Sequence, residues 1–517
     1  MTYLKYFAKM VDVFLFGIFT VLAIFWILRK NGRKGRRIPG PKGLPLVGCV
    51  LEVKEENIHT KFSDYAYEYG NIFQFKLMND TIIGLNSEHL IRLAYAQDGY
   101  KEYLNDKPAT FYAEMLLYGS QSTEFCKDGY SAEHTAYRKG FTNVMKVYGA
   151  GSDSTIEEMF MTEIKRGLMK RIEGYNGRDF EIAYELKRSL ANTLSCLFRG
   201  EPFDDNDPNA SIFDDFSDCV DYFSNASVNN VLTTLPFLRY MPGPYGKQFA
   251  KALKTRETII NIFFKEQKES HVPGVIRGVV DKFLEEQRKD REAGQEPFYT
   301  DERIICQILE IAANALLTTR SIMPSTFLCL LHHPEYQDKM FEELDAVAGR
   351  DRDLCINDKA KCPTYEALEL ETHRYIPVAP ILGPRLCRVN LEFEGYDLPK
   401  GSMVFANFWH IFHNEKIWGD PWNFRPERWL DEQGNLLPRD HVYRKNWLPF
   451  GYGRRQCIGE QFGRFRIFMY LASLLRRWKF VAPPGKMMSC DPRDQSSFCY
   501  EVTMRPKPFY CHVQERY

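Results

Sequence analysis

The chain has 517 residues, 44% hydrophobic and 26% charged, with 68 Lys and Arg against 68 Asp and Glu. A formal net charge of zero supplies no global field to recruit nucleic acid, and the apolar share suits a globular body with a large core. Thirteen scattered cysteines include no Cys-x-x-Cys pair, so neither a zinc site nor a disulfide framework is suggested, and a reduced, cytosol-facing protein fits.

The N-terminus departs from this soluble composition. Val13 to Leu28 is apolar except for Thr20, and these 16 residues give ~24 Å of helix against a ~30 Å hydrocarbon core. Arg29, Lys30, Arg33, Lys34, Arg36 and Arg37 follow, which holds that side in the cytosol. Leu28 leads straight into cations, where a cleavable signal would place small residues at its cut site, so residues 1–28 read as an uncleaved anchor. Residues 29–48 then read as a stop-transfer stretch and a stiff hinge, because Pro39, Pro41 and Pro45 forbid helix. The body is residues 49–517, with no linker or repeat dividing it.

Within the body, Ile72–Leu77 and Thr81–Leu85 predict a hairpin, and long stretches from Ile156 to Gln287 favour amphipathic helices. Leu284 to Glu296 is charged and reads as a solvated connection. A long apolar helix opens at Asp301, with Pro324 expected to kink or break it. Strand-like pieces return from Asn390 to Phe405. The run from Glu460 to Leu475 predicts a helix, and Glu371 and Arg374 share one helix face at i,i+3 spacing.

Just before that last helix stands Phe450-Gly451-Tyr452-Gly453-Arg454-Arg455-Gln456-Cys457-Ile458-Gly459. Gly453 and Gly459 permit close backbone approaches, while a helix start and nearby arginines favour a deprotonated sulfur. A thiolate pushes electron density onto haem iron and favours O–O cleavage. The segment resembles the haem-binding loop of the cytochrome P-450 superfamily, Phe-x-x-Gly-x-Arg-x-Cys-x-Gly, at every defined position. Glu371-Thr372-His373-Arg374 and Phe424-Arg425-Pro426-Glu427-Arg428-Trp429 resemble that family's buried triad, here Glu371, Arg374 and Arg428. The N-terminus resembles the anchor and hinge of its microsomal class.

The resemblance implies a mainly α fold with small β-sheets, haem b ligated by Cys457, and Phe450, Gly453 and Gly459 shaping its loop. It implies haem carboxylates met by Arg455, Arg385 and Arg138; His134 stands where the family often has tryptophan and is a further candidate to hydrogen-bond a haem propionate. It places Thr318 and Thr319 on the oxygen-activating helix, in Asn314-Ala315-Leu316-Leu317-Thr318-Thr319. Leu317 replaces the family's acid, and Glu310, two helical turns before Thr318, is too distant to substitute without water. Arg320 is unusual beside a predicted apolar pocket; it points outward or meets an acidic substrate group. Substrate contacts by family position include Ala315, Val378, Ile381, Leu382 and Phe498, together with the stretch from Phe111 to Phe125.

These features imply a monooxygenase inserting one atom of dioxygen into a small lipophilic substrate, with electrons from NADPH through a flavoprotein reductase. Cytochrome b5 is a further electron donor of that class, and the location implied is the endoplasmic reticulum membrane. Arg444, Lys445, Arg454, Arg464 and Arg466 form a candidate cationic docking face. A haem-thiolate isomerase or dehydratase acting on a peroxide would not need the acid missing at Leu317. A non-catalytic haem binder is a third class. Gly129-Tyr130-Ser131 lacks the second glycine of a nucleophile elbow, no Gly-x-x-x-x-Gly-Lys appears, and His332-His333 and His410/His413 lack companion metal ligands.

Overall fold

The computed structural model describes residue 17 and residues 35–516, apart from 46, 118–128, 146–154, 205 and 502. The expected anchor, Gly17 apart, and the basic run as far as Lys34 lie outside the described residues. Among the described residues, no helix is long and apolar enough to cross a membrane. Arg36 and Arg37 run parallel to Tyr396–Asp397, and the Gly35 amide donates to Asp397 Oδ1 at 2.6 Å. The proline-rich stretch behind them is not helical.

Helix α1 (Ile58–Tyr69) leads into strands β1 (Ile72–Leu77) and β2 (Asp80–Leu85), the expected hairpin, paired from Ile72↔Leu85 to Leu77↔Asp80. Helix α2 (Glu88–Ala96) and α3 (Ala132–Met145) follow. The helical region comprises α4 (Ile182–Arg199), α5 (Ile212–Ser224), α6 (Pro244–Ile260) and α7 (Val279–Glu292). Through its centre runs α8 (Asp301–His332), against which α4 and α5 pack. Beyond it come α9 (Pro334–Ala348) and α10 (Pro363–Tyr375).

Strands β3 (Ile381–Leu386), β4 (Leu391–Phe393), β5 (Tyr396–Leu398) and β6 (Met403–Asn407) return where strands were expected. Four of the strands form one sheet in the order β1-β2-β6-β3. Helix α11 (Glu460–Arg477) closes the core, with short strands β7 (Trp478–Val481), β8 (Phe498–Tyr500), β9 (Met504–Pro506) and β10 (Tyr510–Glu515) after it. The body is mainly helical with small sheets.

Two local expectations are corrected. The charged stretch from Leu284 is helical as far as Glu292, because Val279, Val280, Phe283 and Leu284 are buried and carry the charged residues into one helix. There Arg288 pairs with Glu285 and Glu292. Nor does Pro324 break α8, which is continuous for 32 residues. Proline removes the N–H that would reach the Arg320 carbonyl, a cost of ~3 kcal/mol. Burial along Ser321–Leu331 outweighs it. Ser325 Oγ and Thr326 Oγ1 also donate back to Ser321 O at 2.8 Å and Ile322 O at 3.0 Å.

Candidate functional site

Cys457 sits at the mouth of α11, two residues before the Gly459 that caps it, and its side chain is exposed. Its amide donates to Phe450 O at 2.8 Å, closing the loop over Gly451 to Gln456. Gly453 has φ +76, and a Cβ there would lie 2.4 Å from the Tyr95 carbonyl, so only glycine lets the loop lie against α2. Gly459 and Gly463, in contrast, leave open space beside the helix start. Phe450 packs against the rings of His373 and Trp447.

Two arginines from separate elements reach this loop, and the loop carries a third. Arg138 of α3 donates to Gln456 O at 2.8 Å, and Arg385 of β3 reaches Arg455 O at 3.5 Å. Arg455 itself donates to Asn105 O at 2.9 Å. Arg385 is 1% exposed, yet among the described residues its Nε and Nη1 have no hydrogen-bond partner. Buried donors left unmade are costly, and an anionic group placed there would relieve that cost. Haem carboxylates fit that requirement. The strand delivers Arg385 by a register slip: the four residues Leu382 to Arg385 lie opposite the three from Ala406 to Val404. The extra residue at Gly383-Pro384 puts both side chains on the face toward the loop, where Leu382 lies against Gly451. His134 is buried on α3, its amide bonded to Ser131 Oγ at 3.0 Å.

Beneath the loop, Glu371, Arg374 and Arg428 form a buried cluster. Arg374 grips Glu371 through two bonds of 2.8 Å, and Arg428 Nε donates to Glu371 Oε1 at 3.0 Å. Arg374 Nη1 also binds the carbonyls of Phe412 and Pro421. The sequence reading missed two further donors to Glu371, the Trp429 indole and the Arg425 amide, both at 2.9 Å. Their signal was adjacency to Arg428.

The model of the family described as Cytochrome P450 matches residues 38–513. The chain belongs to the cytochrome P450 family. It is similar to "Cytochrome P450 1A1" of Macaca fascicularis, 28% identical over 508 residues and 95% of each chain. It is also similar to "Steroid 17-alpha-hydroxylase/17,20 lyase" of Ictalurus punctatus, 26% identical over 92% of this chain and 90% of that one. A solved structure titled "Zebra fish cytochrome P450 another structure with Progesterone" superposes with a TM-score of 0.75 over 88% of this chain and 99% of that one. At 24% identity that likeness carries the fold alone. Membership implies a haem-thiolate cofactor, which Cys457 and the arginine cradle fit.

The two P450 threonines part company on α8. Thr318 is exposed and Thr319 buried, and each donates to the carbonyl four residues back at 3.0 Å. Thr319 Oγ1 also accepts from Arg466 of α11. Leu317 is 4% exposed and contributes no titratable group. Arg320 turns toward α5 with its side chain largely buried, paired with Asp218 at 3.1 Å and with Asp221. Asn314, one turn before Thr318, is exposed and was not singled out from sequence; the i,i+4 spacing was the available signal.

Among the expected substrate residues, Ala315 and Val378 are half-buried against the main core, and Phe498 is fully buried in it. Ile381 and Leu382 are half-buried on β3. Residues 118–125 lie outside the described residues. The five-cation face needs correction. Arg466 is 1% exposed and turns into the protein, donating to Ala315 O as well as to Thr319, because its position on α11 faces α8. Arg464 is drawn inward by Glu369 at 2.6 Å and Glu366 at 3.8 Å. Lys445 is exposed, while Arg444 and Arg454 are half-buried.

Proposed function

We propose that this P450 is a membrane-anchored monooxygenase that inserts one oxygen atom into a small lipophilic substrate. The observation that carries this reading is the convergence of Arg138 and Arg385 on the loop that carries Arg455 and Cys457, with two buried donors of Arg385 unspent among the described residues. When bound, the haem supplies oxygen activation, with the thiolate pushing electron density toward O–O cleavage.

The chain's residues supply the rest. The N-terminus of α11 and neighbouring arginines hold the Cys457 sulfur as thiolate. Arg138, Arg385 and Arg455 would hold the haem carboxylates. The buried Glu371, Arg374 and Arg428 cluster holds the ground on which the loop rests. Thr318 presents a hydroxyl on α8. Val378, Ile381, Leu382 and Ala315 make an apolar wall that selects lipophilic molecules. Electrons come from NADPH through a flavoprotein reductase, with cytochrome b5 as a second donor, at the endoplasmic reticulum membrane. Lys445, Arg444 and Arg454 are the cations left to meet an acidic partner. One named relative is a steroid hydroxylase, so steroids head the substrate screen.

Leu317 favours a second reading, an isomerase or dehydratase that rearranges a peroxide without external electrons. The test is a reduced, CO-bound difference spectrum followed by turnover with reductase, NADPH and dioxygen. Thiolate-type absorption with reductase-dependent oxygenation is expected. Hydroperoxide turnover without NADPH, and none with it, replaces the first reading by the second.

A further inference from the structure

We infer that Glu310, Asn314 and Thr318 form a polar rail along one face of α8, with Glu310 supplying through water the carboxyl group that position 317 lacks. The inference rests on the monooxygenase reading. Between Ile304 and Leu331, Asn314 and Thr318 are the exposed residues of α8. The two share one open face of a helix that is otherwise buried or half-buried along this span.

Glu310, Asn314 and Thr318 occupy successive i,i+4 positions, with Cβ atoms about 5–6 Å apart. That gap is about two hydrogen bonds of ~2.8 Å, so one water spans each step. The backbone already links the three. Thr318 Oγ1 donates to Asn314 O at 3.0 Å, and Asn314 Nδ2 donates to Glu310 O at 2.9 Å. Asn314 retains its Oδ1 and a second N–H to hold water. Glu310, 9% exposed, accepts from Gln307 Nε2 at 3.5 Å, which extends the polar stripe one turn further. Leu317 lies off this stripe.

In the transfer, the O–H bond of protonated Glu310 breaks as its proton passes to the first water. That water gives a proton to the water held by Asn314, which protonates Thr318 Oγ as the original hydroxyl proton moves to the reacting group. Bulk water reprotonates the Glu310 carboxylate. Asn314 neither gains nor loses a proton; it is a positioning residue.

The test uses the full, haem-loaded chain with its reductase. Glu310→Gln and Asn314→Leu are each expected to lower product formed per NADPH by about a hundredfold, the lower end for a positioned proton donor. Asn314→Asp placed on Glu310→Gln brings a carboxyl one turn closer and is expected to restore much of the loss. Without turnover, the infrared C–O stretch of the ferrous-CO form is expected to shift in both single variants. The rail is overturned if Glu310→Gln matches the wild type in coupling and C–O stretch, or if Asn314→Asp gives no rescue. A wild type with no reductase-dependent oxygenation removes the monooxygenase reading instead, and the infrared measurement still decides whether the rail is continuous.

Discussion

Trp429 donates its indole N–H to Glu371 Oε2 at 2.9 Å, inside a cluster whose three charged side chains are fully buried. Glu371 thereby accepts from Arg374 twice, from Arg428, from the Arg425 amide and from Trp429. Trp429→Phe keeps most of the volume but removes one donor to a buried carboxylate, at a cost of ~1.5–3 kcal/mol. Denaturant melts of the two proteins measure it, and equal midpoints would show that the indole contributes packing alone.

Arg385 holds two donors left unused among the described residues. Arg385→Met should therefore leave the stability of the haem-free chain unchanged or higher, while haem transfer to an acceptor globin speeds up by about tenfold or more, the worth of a charged hydrogen bond. Unchanged transfer would mean that this guanidinium faces something other than the haem.

Burial pushes the Asp214 carboxyl up to about 6, with Lys187 and Arg320 only partly opposing it. The folded chain thus binds this proton more tightly than the unfolded one, whose value is near 3.9. Stability from this group is full below about pH 4 and falls as pH rises toward 6. Asp214→Asn is expected to stabilise the protein by roughly 3 kcal/mol at pH 7 and by nearly nothing at pH 4. A gain equal at both pH values would remove titration as its cause.

Arg466 is buried without a carboxylate partner among the described residues, and burial lowers its guanidinium to about 10. It remains charged at neutral pH. Replacing buried ions with apolar groups of similar volume is commonly neutral or stabilising by ~1–4 kcal/mol. Arg466→Met should therefore not lower the melting temperature. A large drop would reveal that the bonds to Ala315 O and Thr319 are needed to hold α8.

The cysteine loop, the two arms of the Glu371 cluster and the β1–β2 hairpin were legible because each is written in contiguous residues with special backbone or charge requirements. What escaped depends on neighbours distant in sequence. Trp429 reads as an ordinary core aromatic until Glu371 is beside it. Arg466 reads as a surface cation until α8 covers it. The charged half of α7 hides a helix because its apolar anchors precede it, and Pro324 reads as a stop until burial on every side outweighs one missing N–H. Asn314 was written in plain view, but its meaning lies in sharing a face with Thr318 and Glu310.

The slip at Gly383-Pro384 separates two jobs on a single strand. Ile381 and Leu382 lie ahead of it, while Arg385 behind it keeps its aim at the cysteine loop. Removing one residue at the slip would rotate that cation to the outer surface. A short irregularity thus sets the direction of one buried cation independently of the apolar side chains before it.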